Sequence, residues 1–159
     1  MHYATGLIIG RFQPFHKGHL FIVHEALKQA DTVIIGIGST NTQDKENNPF
    51  SVEQVRTSIQ KVAKKEGWHD RMVQIFDVPD IPRDDEWLQD VLDRAKEFDV
   101  VISNNDWVTG IFRKAGYDVI ELPFYKREIY EGKKIRELMR SGGDRKRRVP
   151  YLNITHESS

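Results

Sequence analysis

Short apolar runs rich in valine and isoleucine alternate along this chain with longer stretches whose apolar residues have helical spacing. Apolar runs of this length are typical of strands buried on both faces, and such strands belong to parallel sheets with helices above and below. The alternation therefore predicts an α/β fold with a doubly wound, five-stranded parallel sheet. The predicted strands are 6–10, 32–38, 72–78, 99–103 and 117–122, and the predicted helices are 18–30, 51–65, 84–98, 107–115 and 133–140.

Two signals place helix ends within this pattern. Ser51 followed by Gln54 is a capping box that opens the second helix, and the glycines at 142–143 end the last one. We expect one domain over residues 1–144, followed by a basic tail over 145–159. Sheets of this kind bind ligands at the carboxyl ends of their strands, so the loops after the first, second and fourth strands should carry the chemistry.

The composition excludes several classes of protein. Lysine plus arginine equals aspartate plus glutamate, 24 residues each, which argues against a dedicated nucleic-acid or anionic-membrane binder. The absence of cysteine excludes disulfides and thiolate metal sites. No apolar run reaches the roughly 18 residues of a membrane span, and the first residues lack a secretory layout. We expect a cytoplasmic protein without a nucleic-acid or membrane partner.

The turn after the first predicted strand reads GRFQPFHKGHL (10–20) and runs directly into the first predicted helix. A helix N-terminus near Lys17 offers free backbone N–H groups and a dipole that favours an anion. His16 and His19 are three residues apart and are therefore neighbours on the first helical turn. Arg11 and Lys17 add positive charge. Together these residues predict a phosphate-binding site.

Better-known phosphate motifs are missing from the sequence. It has no G-x-x-x-x-G-K-[ST] motif, and GIGSTN (36–41) lacks the third glycine of a dinucleotide fingerprint. Phosphate binding is therefore assigned to His16 and His19, with Gly18 allowing ligand oxygens close to the backbone. Zinc does not fit, because the histidines are not at i, i+4 and the turn has no carboxylate. The alternative is that both histidines are helix-start residues hydrogen-bonded to nearby backbone.

This turn resembles the signature of the H-x-G-H nucleotidyltransferases, a superfamily with a Rossmann-like fold. Its RFQPF segment is most similar to archaeal-type nicotinamide mononucleotide (NMN) adenylyltransferases. Other pieces agree in order and spacing: IGS after the second strand, NNPF (47–50), VPDI (78–81), Trp87, SNN (103–105), RKAGYDV (113–119) and GKKIRELM (132–139). The resemblance covers roughly residues 5 to 144. It implies NAD biosynthesis, in which the NMN phosphate attacks the α-phosphorus of ATP in line and pyrophosphate leaves.

The resemblance implies an ATP half of the site, and Mg²⁺ held mainly by the ATP phosphates rather than by protein side chains. Catalysis would consist of positioning the two substrates and neutralising the charge of the transition state. The catalytic residues implied are His16, His19, Arg11 and Arg136. The ATP-binding residues implied are Gly10, Phe12, Lys17, Gly18, Asn104, Asn105, Gly132 and Lys133.

The resemblance also implies an NMN half of the site and a homo-oligomer, since family members form rings or smaller assemblies. The residues implied for NMN are Gln13, Ser39, Asp80, Asp84 and Trp87. Trp87 would stack on the nicotinamide ring, because an aromatic face attracts a cationic pyridinium. The alternative is that Trp87 anchors its helix in the core. Asp84 stands where some relatives carry asparagine.

The chain departs from the family pattern at two places. Relatives carry a positive residue in the loop before PF, where this chain has Asn47, with Lys45 the nearest cation. Relatives also have a serine–glycine–threonine run before the last helix, where this chain has EGK (131–133) after an apparent one-residue insertion. Lys133 is expected to supply a charge to the ATP phosphates in place of hydroxyls, with Arg136 one turn further on.

Three other functions are compatible with the residues. Another adenylyl- or cytidylyltransferase of this fold would act on a flavin, pantetheine or lipid head-group phosphate. A non-catalytic homologue would bind ATP without releasing pyrophosphate, and the EGK replacement favours it. A nucleic-acid binder would use RKRR (145–148), for which a solvated basic tail is the simpler explanation.

Overall fold

A computed structural model of the chain describes residues 2–41 and 49–123. Several sequence predictions fall outside these residues: the helix 133–140, the tail 145–159, and the residues Lys45, Asn47, Gly132, Lys133 and Arg136. Within the described ranges, no helix is long and apolar enough to cross a membrane.

The described residues alternate strand and helix in the predicted order. The strands are β1 (Tyr3–Gly10), β2 (Ala30–Gly38), β3 (Met72–Val78), β4 (Val100–Ser103) and β5 (Val119–Glu121). The helices are α1 (Lys17–Gln29), α2 (Val52–Glu66), α3 (Asp84–Arg94) and α4 (Asp106–Lys114), with a short 3₁₀ helix at His69–Arg71. The predicted capping box of α2 is confirmed, since the Gln54 N–H donates to Ser51 Oγ at 3.1 Å and the Ser51 N–H donates to Gln54 Oε1 at 2.8 Å.

The described strands form one sheet in the order β3-β2-β1-β4-β5, and every neighbouring pair is parallel. The predicted doubly wound sheet is therefore confirmed. Strand order reverses between β1 and β4, so the switch point, where such sheets bind ligands, lies at the carboxyl ends of these two strands. Pairing between β1 and β2 begins at Tyr3 opposite Ala30, so both strands start earlier than predicted.

Two apolar clusters hold the helices to the sheet. The first joins residues of α1 and α2 to the strands and includes Phe12, Phe15, Val23, Ile59 and Trp68. The second joins residues of α3 and α4 to the strands and includes Leu7, Trp87, Val91, Val108 and Phe112. A doubly wound sheet buries both faces in this way, which is why its strands read as continuous apolar runs.

Helix α3 ends earlier than predicted because a side chain from β3 caps it. The prediction extended this helix to residue 98, but it ends at Arg94. The Gln74 amide donates to the Arg94 carbonyl at 2.9 Å and accepts the Lys96 N–H at 2.8 Å. These hydrogen bonds replace the intrahelical partners that the Arg94 carbonyl and the Lys96 N–H would have in a longer helix. Neighbouring residues in the sequence do not reveal such a contact.

Strand β5 is also shorter than predicted, because the chain is still leaving α4 at residue 117. The Tyr117 N–H donates to the Phe112 carbonyl at 3.0 Å, and Gly116 has a φ of 92°. A glycine in the left-handed region followed by this hydrogen bond is a common helix ending. Pairing with β4 therefore starts at Val119.

Asp99 fastens β1 to the start of β4 at the end of the sheet opposite the ligand-binding edge. Its two carboxylate oxygens accept the Ala4 and Thr5 N–H groups at 3.0 and 2.9 Å, and its own N–H donates to the Thr5 carbonyl at 3.0 Å. Desolvation acts to raise the pKa of Asp99, but the backbone hydrogen bonds outweigh it and hold the pKa below its ordinary value.

Replacing Asp99 by Ala should lower the free energy of unfolding by about 0.5–1 kcal/mol at neutral pH, because two backbone donors of β1 lose their acceptor at an exposed site. A depressed folded-state pKa means that this stabilisation is present above about pH 3.9 and is lost as the pH falls through the folded-state pKa. Urea unfolding at about pH 7 and about pH 3 measures both effects. Asp99→Asn, which keeps one acceptor oxygen, should be intermediate. Equal unfolding free energies of wild type and Asp99→Ala at pH 7 would contradict this role.

Candidate active site

The turn between β1 and α1 places the two histidines of the sequence motif at the start of a helix. Helix α1 begins at Lys17 with His16 as its N-cap, so the predicted position of the helix start is confirmed. Phe12 adopts a left-handed backbone conformation with φ of 54°, which is uncommon for a residue with a large side chain. Its ring turns inward and is 2% exposed. A side chain at Gly10 would require this ring to shift, since a Cβ there lies 3.0 Å from it.

Both histidines accept backbone hydrogen bonds through Nδ1. The Gly18 N–H donates to His16 Nδ1 at 3.0 Å, and the His16 N–H donates to His19 Nδ1 at 3.1 Å. The imidazole rings stack with centroids 3.8 Å apart. A nitrogen that accepts a hydrogen bond carries no proton, so the proton of each neutral ring is on Nε2. Each imidazole therefore presents an Nε2–H donor on the side of the ring away from its backbone partner.

His19 is held in an apolar setting that keeps it neutral. Its ring lies 4.8 Å from the Phe12 ring and 5.5 Å from the Phe15 ring, measured between centroids. Burial, and secondarily the neighbouring His16, lower the pKa of His19 well below its ordinary value of 6.5. The ring is therefore a hydrogen-bond donor rather than a cation at neutral pH. Positive charge at this turn comes from Arg11 and Lys17, both exposed.

The backbone of α1 does not offer the free donors that the sequence led us to expect. The Gly18 N–H is taken by His16 Nδ1, and the N–H groups of His19 and Leu20 donate to the His16 carbonyl at 3.0 Å each. The expectation that an anion meets these N–H groups directly is wrong for this reason. The alternative stated for the histidines, hydrogen bonding to nearby backbone, is confirmed for Nδ1. Nδ1 of each ring is occupied, and phosphate binding through Nε2 stays a prediction.

A cleft of about 290 Å³ opens at the carboxyl ends of β1, β2 and β3 and is closed on one side by the start of α4. Its described lining consists of Ile9, Gly10, Arg11, Gly38, Ser39, Val78, Asp80, Trp87, Asn105, Trp107 and Val108. Six residues predicted for the two substrates meet here: Gly10, Arg11, Ser39, Asp80, Trp87 and Asn105. The lining includes Gly10 and Arg11, which open the histidine turn, but His16 and His19 are not among its described residues.

The ends of β2 and β3 are tied together at the cleft. The Ser39 Oγ donates to Asp80 Oδ1 at 2.8 Å, and Ser39 has a positive φ of 58°. The Asn41 amide donates to the Asp80 carbonyl at 3.0 Å and accepts the Asp80 N–H at 2.8 Å. These contacts fix the Asp80 backbone and one carboxylate oxygen. Asn41 was not predicted as a site residue, and its role depends on a partner 39 residues away in the sequence.

Gln13 was predicted to bind NMN, but the structure gives its side chain a different task. The Gln13 amide donates to the Phe50 carbonyl at 3.0 Å and accepts the Phe50 N–H at 2.8 Å. The side chain is 7% exposed and is not among the described residues that line the cleft. Gln13 thus anchors the segment before α2 to the histidine turn, and its contact with NMN stays a prediction.

Two predicted residues have both a structural role and a place in the cleft. Trp87 is 4% exposed and belongs to the apolar cluster on the α3–α4 side, as the core-anchor alternative required, yet it lines the cleft. Asn105 is the N-cap of α4, where its Oδ1 accepts the N–H groups of Trp107 and Val108 at 2.9 and 3.3 Å. The preceding Asn104 is partly buried.

Asp84 and Trp107 form a contact that the sequence analysis did not anticipate. Trp107 is 47% exposed at the cleft, and its indole N–H donates to Asp84 Oδ1 at 3.3 Å. Asp84 was predicted to bind NMN, but it is absent from the described lining of the cleft and its carboxylate holds this indole. Trp107 lies in the first turn of α4, directly after the loop that follows the fourth strand and was predicted to carry chemistry, and that position was the available signal.

A protein-held metal is not apparent in the part of the chain that the structure describes. Residues 2–41 and 49–123 contain no group of three or more histidine, aspartate or glutamate side chains placed to hold an ion.

The model of the cytidylyltransferase-like family matches residues 7–149. A parallel sheet with the H-x-G-H turn at its switch point agrees with that match, and the chain belongs to this family of nucleotidyltransferases.

Individual relatives identify the subgroup of this family that the chain resembles in sequence. The chain is 37% identical over 145 residues to a nicotinamide-nucleotide adenylyltransferase of Methanothrix thermoacetophila, an alignment that covers 91% of this chain and 84% of the relative. It is 38% identical over 136 residues to the enzyme of the same name from Ignicoccus hospitalis, covering 86% and 80%. The chain belongs to the nicotinamide-nucleotide adenylyltransferases, which confirms the resemblance described above.

A solved structure agrees with this assignment. A crystal structure of a bifunctional NMN adenylyltransferase/ADP-ribose pyrophosphatase from Francisella tularensis, in complex with AMP and a manganese ion, has a TM-score of 0.75 and is 27% identical. The match covers 97% of this chain and 48% of that protein, so the chain spans about half of the bifunctional enzyme.

Replacing His19 by Ala or by Asn separates the two roles of its imidazole. The Asn side-chain oxygen lies near the position of Nδ1 and can still accept the His16 N–H, but neither variant has the Nε2–H donor. Both variants should therefore lose roughly 10²–10³ in kcat, as when one preorganised donor is removed. Only His19→Ala should also lose about 1 kcal/mol of stability, because it lacks the capping acceptor.

Steady-state kinetics and thermal unfolding of both variants test this separation. An unchanged kcat in His19→Asn would show that Nε2 has no part in the reaction. Equal stabilities of His19→Asn and His19→Ala would show that the hydrogen bond to Nδ1 does not hold the turn.

Proposed function

We propose that the chain makes NAD and pyrophosphate from ATP and NMN, with the neutral imidazoles of His16 and His19 as donors to the phosphate groups of ATP. A phosphate oxygen of NMN attacks the α-phosphorus in line, the bond from that phosphorus to the bridging oxygen breaks, and pyrophosphate leaves with the bonding electrons. The observation that carries the mechanism is the pair of stacked imidazoles whose Nδ1 atoms are occupied by backbone donors.

The attacking group determines what the protein must supply. The NMN phosphate is already an anion, so no general base is required, and negative charge accumulates on the leaving pyrophosphate. Fixed Nε2–H donors strengthen as that charge develops and need no rearrangement to do so. Arg11 lies at the cleft and Lys17 opens α1, so both can add positive charge along the phosphate chain. Arg11 can bind two phosphate oxygens at once.

The cleft supports the division between the two substrates. Arg11 marks its cationic end beside the histidine turn, and Asp80 places a carboxylate after β3. This polarity suits a mononucleotide whose phosphate lies near β1 and whose cationic pyridinium ring lies near Trp87. Asp80 and Ser39, which are joined by a hydrogen bond at the cleft, are proposed to bind the NMN half.

The ATP half has fewer described residues to support it. Gly10, Gly18 and Asn105 are proposed to allow or make close contacts to ATP, with Asn104 beside them. Phe12 would contribute through its backbone, because its ring is buried under His19. The roles of Arg136, Gly132 and Lys133 remain predictions from the family motif, since these residues lie outside the described ranges.

Mg²⁺ is proposed to reach the site bound to the ATP phosphates, where it would neutralise part of their charge. The described residues fit this arrangement, because they offer donors and cations rather than a carboxylate cage. A homo-oligomeric state, a cytoplasmic location and the absence of nucleic-acid and membrane partners also remain predictions.

The reaction is tested by measuring pyrophosphate release and NAD formation with ATP and a panel of phosphorylated acceptors: NMN, nicotinate mononucleotide, phosphopantetheine and flavin mononucleotide. We expect NAD from NMN, stoichiometric pyrophosphate, and loss of both when the divalent cation is chelated. Asp99→Ala, altered at the opposite end of the sheet, is the control and should keep this activity at a temperature where it is folded.

Two results would overturn the proposed function. Pyrophosphate release with another acceptor and not with NMN would assign the chain to a different transferase. ATP binding without pyrophosphate release from any acceptor would identify a non-catalytic nucleotide-binding homologue.

A further inference from the structure

Trp107 lines the cleft and is unusually exposed for a large apolar side chain. Among the described residues, the large apolar side chains that are strongly exposed are Val73 and Trp107, and the tryptophan is 47% exposed. Trp107 also lines the cleft that holds Trp87 and Asp80. An indole left half in water at the mouth of a ligand cleft provides a flat apolar face that a planar ligand can cover.

The indole of Trp107 is fixed rather than loosely attached. Its N–H donates to Asp84 Oδ1 at 3.3 Å, and its ring lies 4.7 Å from the Trp87 ring, at an angle of 58° between the planes. The Asn105 cap holds the Trp107 backbone N–H at 2.9 Å. The ring is thus held by a hydrogen bond at its polar edge, by an aromatic neighbour and by the capped start of α4. Such fixation reduces the side-chain entropy that a stacking ligand would otherwise have to remove.

We infer that Trp107 is a second aromatic wall for the pyridine ring of the mononucleotide, and that Asp84 is a positioning residue that holds the indole for this task. The inference rests on the proposed function and extends it to a residue outside the predicted site. Trp87 is 4% exposed and offers little free face, whereas Trp107 is exposed at the same cleft. The accessible aromatic surface near the predicted nicotinamide position therefore belongs mainly to Trp107.

The local charges favour the pyridine ring of NMN over the adenine of ATP. The pyridine ring carries a positive charge on its nitrogen, and tryptophan is the side chain whose face attracts a cation best. Asp84 contacts the indole edge and Asp80 lines the cleft, so two carboxylates lie on this side of the site. Adenine is neutral and gains less from this setting. Arg11, the cation of the cleft, directly follows β1, next to the histidine turn.

The kinetic test compares Trp107→Leu with Trp107→Phe. Removal of the aromatic face should raise KM for NMN by roughly 2- to 30-fold, with a much smaller change in KM for ATP and in kcat. This pattern is the signature of lost substrate binding rather than lost transition-state stabilisation. Trp107→Phe keeps an aromatic face and should retain most of the affinity for NMN.

The positioning role is tested with Asp84→Ala and Asp84→Asn. An asparagine oxygen can still accept the indole N–H, so Asp84→Asn should retain most of the affinity for NMN. Asp84→Ala cannot hold the indole and should raise KM for NMN in the direction of Trp107→Leu. Equal effects of the two Asp84 variants would contradict positioning through this hydrogen bond.

A binding measurement without turnover separates this inference from the proposed function. The chain has three tryptophans, and Trp68 is buried on the other side of the sheet with the α1–α2 cluster. In a Trp68→Phe background, NMN added without ATP should quench the remaining tryptophan emission, and Trp107→Phe in that background should remove most of the quenching. If wild type fails to make NAD while NMN still quenches Trp107, the proposed function is wrong and the ring site stands.

Three outcomes would overturn the inference. A rise in KM for ATP rather than for NMN in Trp107→Leu would place adenine on this ring. Unchanged KM values for both substrates, together with NMN quenching that persists in the Trp107→Phe variant, would leave the ring without a ligand. A change in oligomeric state in place of a change in KM would identify Trp107 as part of a subunit contact.

Discussion

Two backbone-to-imidazole hydrogen bonds, from Gly18 N–H to His16 Nδ1 and from His16 N–H to His19 Nδ1, determine the chemistry available at this site. The first N–H groups of a helix have no intrahelical acceptor and must find one elsewhere. Here the histidines supply it through Nδ1, so each neutral ring carries its proton on Nε2. The same two hydrogen bonds therefore cap the helix and determine which ring nitrogen carries the proton for the proposed phosphate contact.

The apolar setting of the same turn explains why histidine can act here without being charged. Phe12 and Phe15 surround His19, and its pKa is lowered well below 6.5 by burial and then by His16. Protonation of His19 at Nδ1 would remove the acceptor of the His16 N–H, and it would place a charge in an apolar environment. In this turn the imidazoles can act as hydrogen-bond donors, whereas the positive charge comes from Arg11 and Lys17.

Side-chain amides perform the remaining task of holding separate loops in register. Gln13 binds the Phe50 backbone, Asn41 binds the Asp80 backbone, and each does so through both ends of its amide. A side-chain amide can imitate a backbone pair in this way, because it carries a donor and an acceptor side by side. The first contact fixes the segment before α2 to the histidine turn, and the second fixes the end of β2 to the end of β3. Only the second contact involves a residue that lines the cleft, Asp80.

Much of this architecture could be predicted from local pattern. The alternation of apolar runs and helical stretches gave the parallel sheet, and the H-x-G-H spacing located the start of α1. Contacts between distant residues could not be read in that way. Three such contacts join residues 20 or more positions apart. They are the hydrogen bonds of Gln13 with Phe50, of Gln74 with the end of α3, and of Asp84 with Trp107. The family resemblance implied Gln13 and Asp84 as NMN ligands, but it could not show that each also has a protein partner.

Nitrogen NMR of the imidazole rings tests the central claim most directly. In protein labelled with ¹⁵N, the signals of His16 and His19 can be assigned by comparison with single His→Asn variants. At about pH 7.5 both rings should show a protonated Nε2 and an unprotonated Nδ1, and His19 should keep this form as the pH is lowered past about 6.5. A proton on Nδ1 of either ring, or a His19 that titrates at or above its ordinary pKa, would contradict the account.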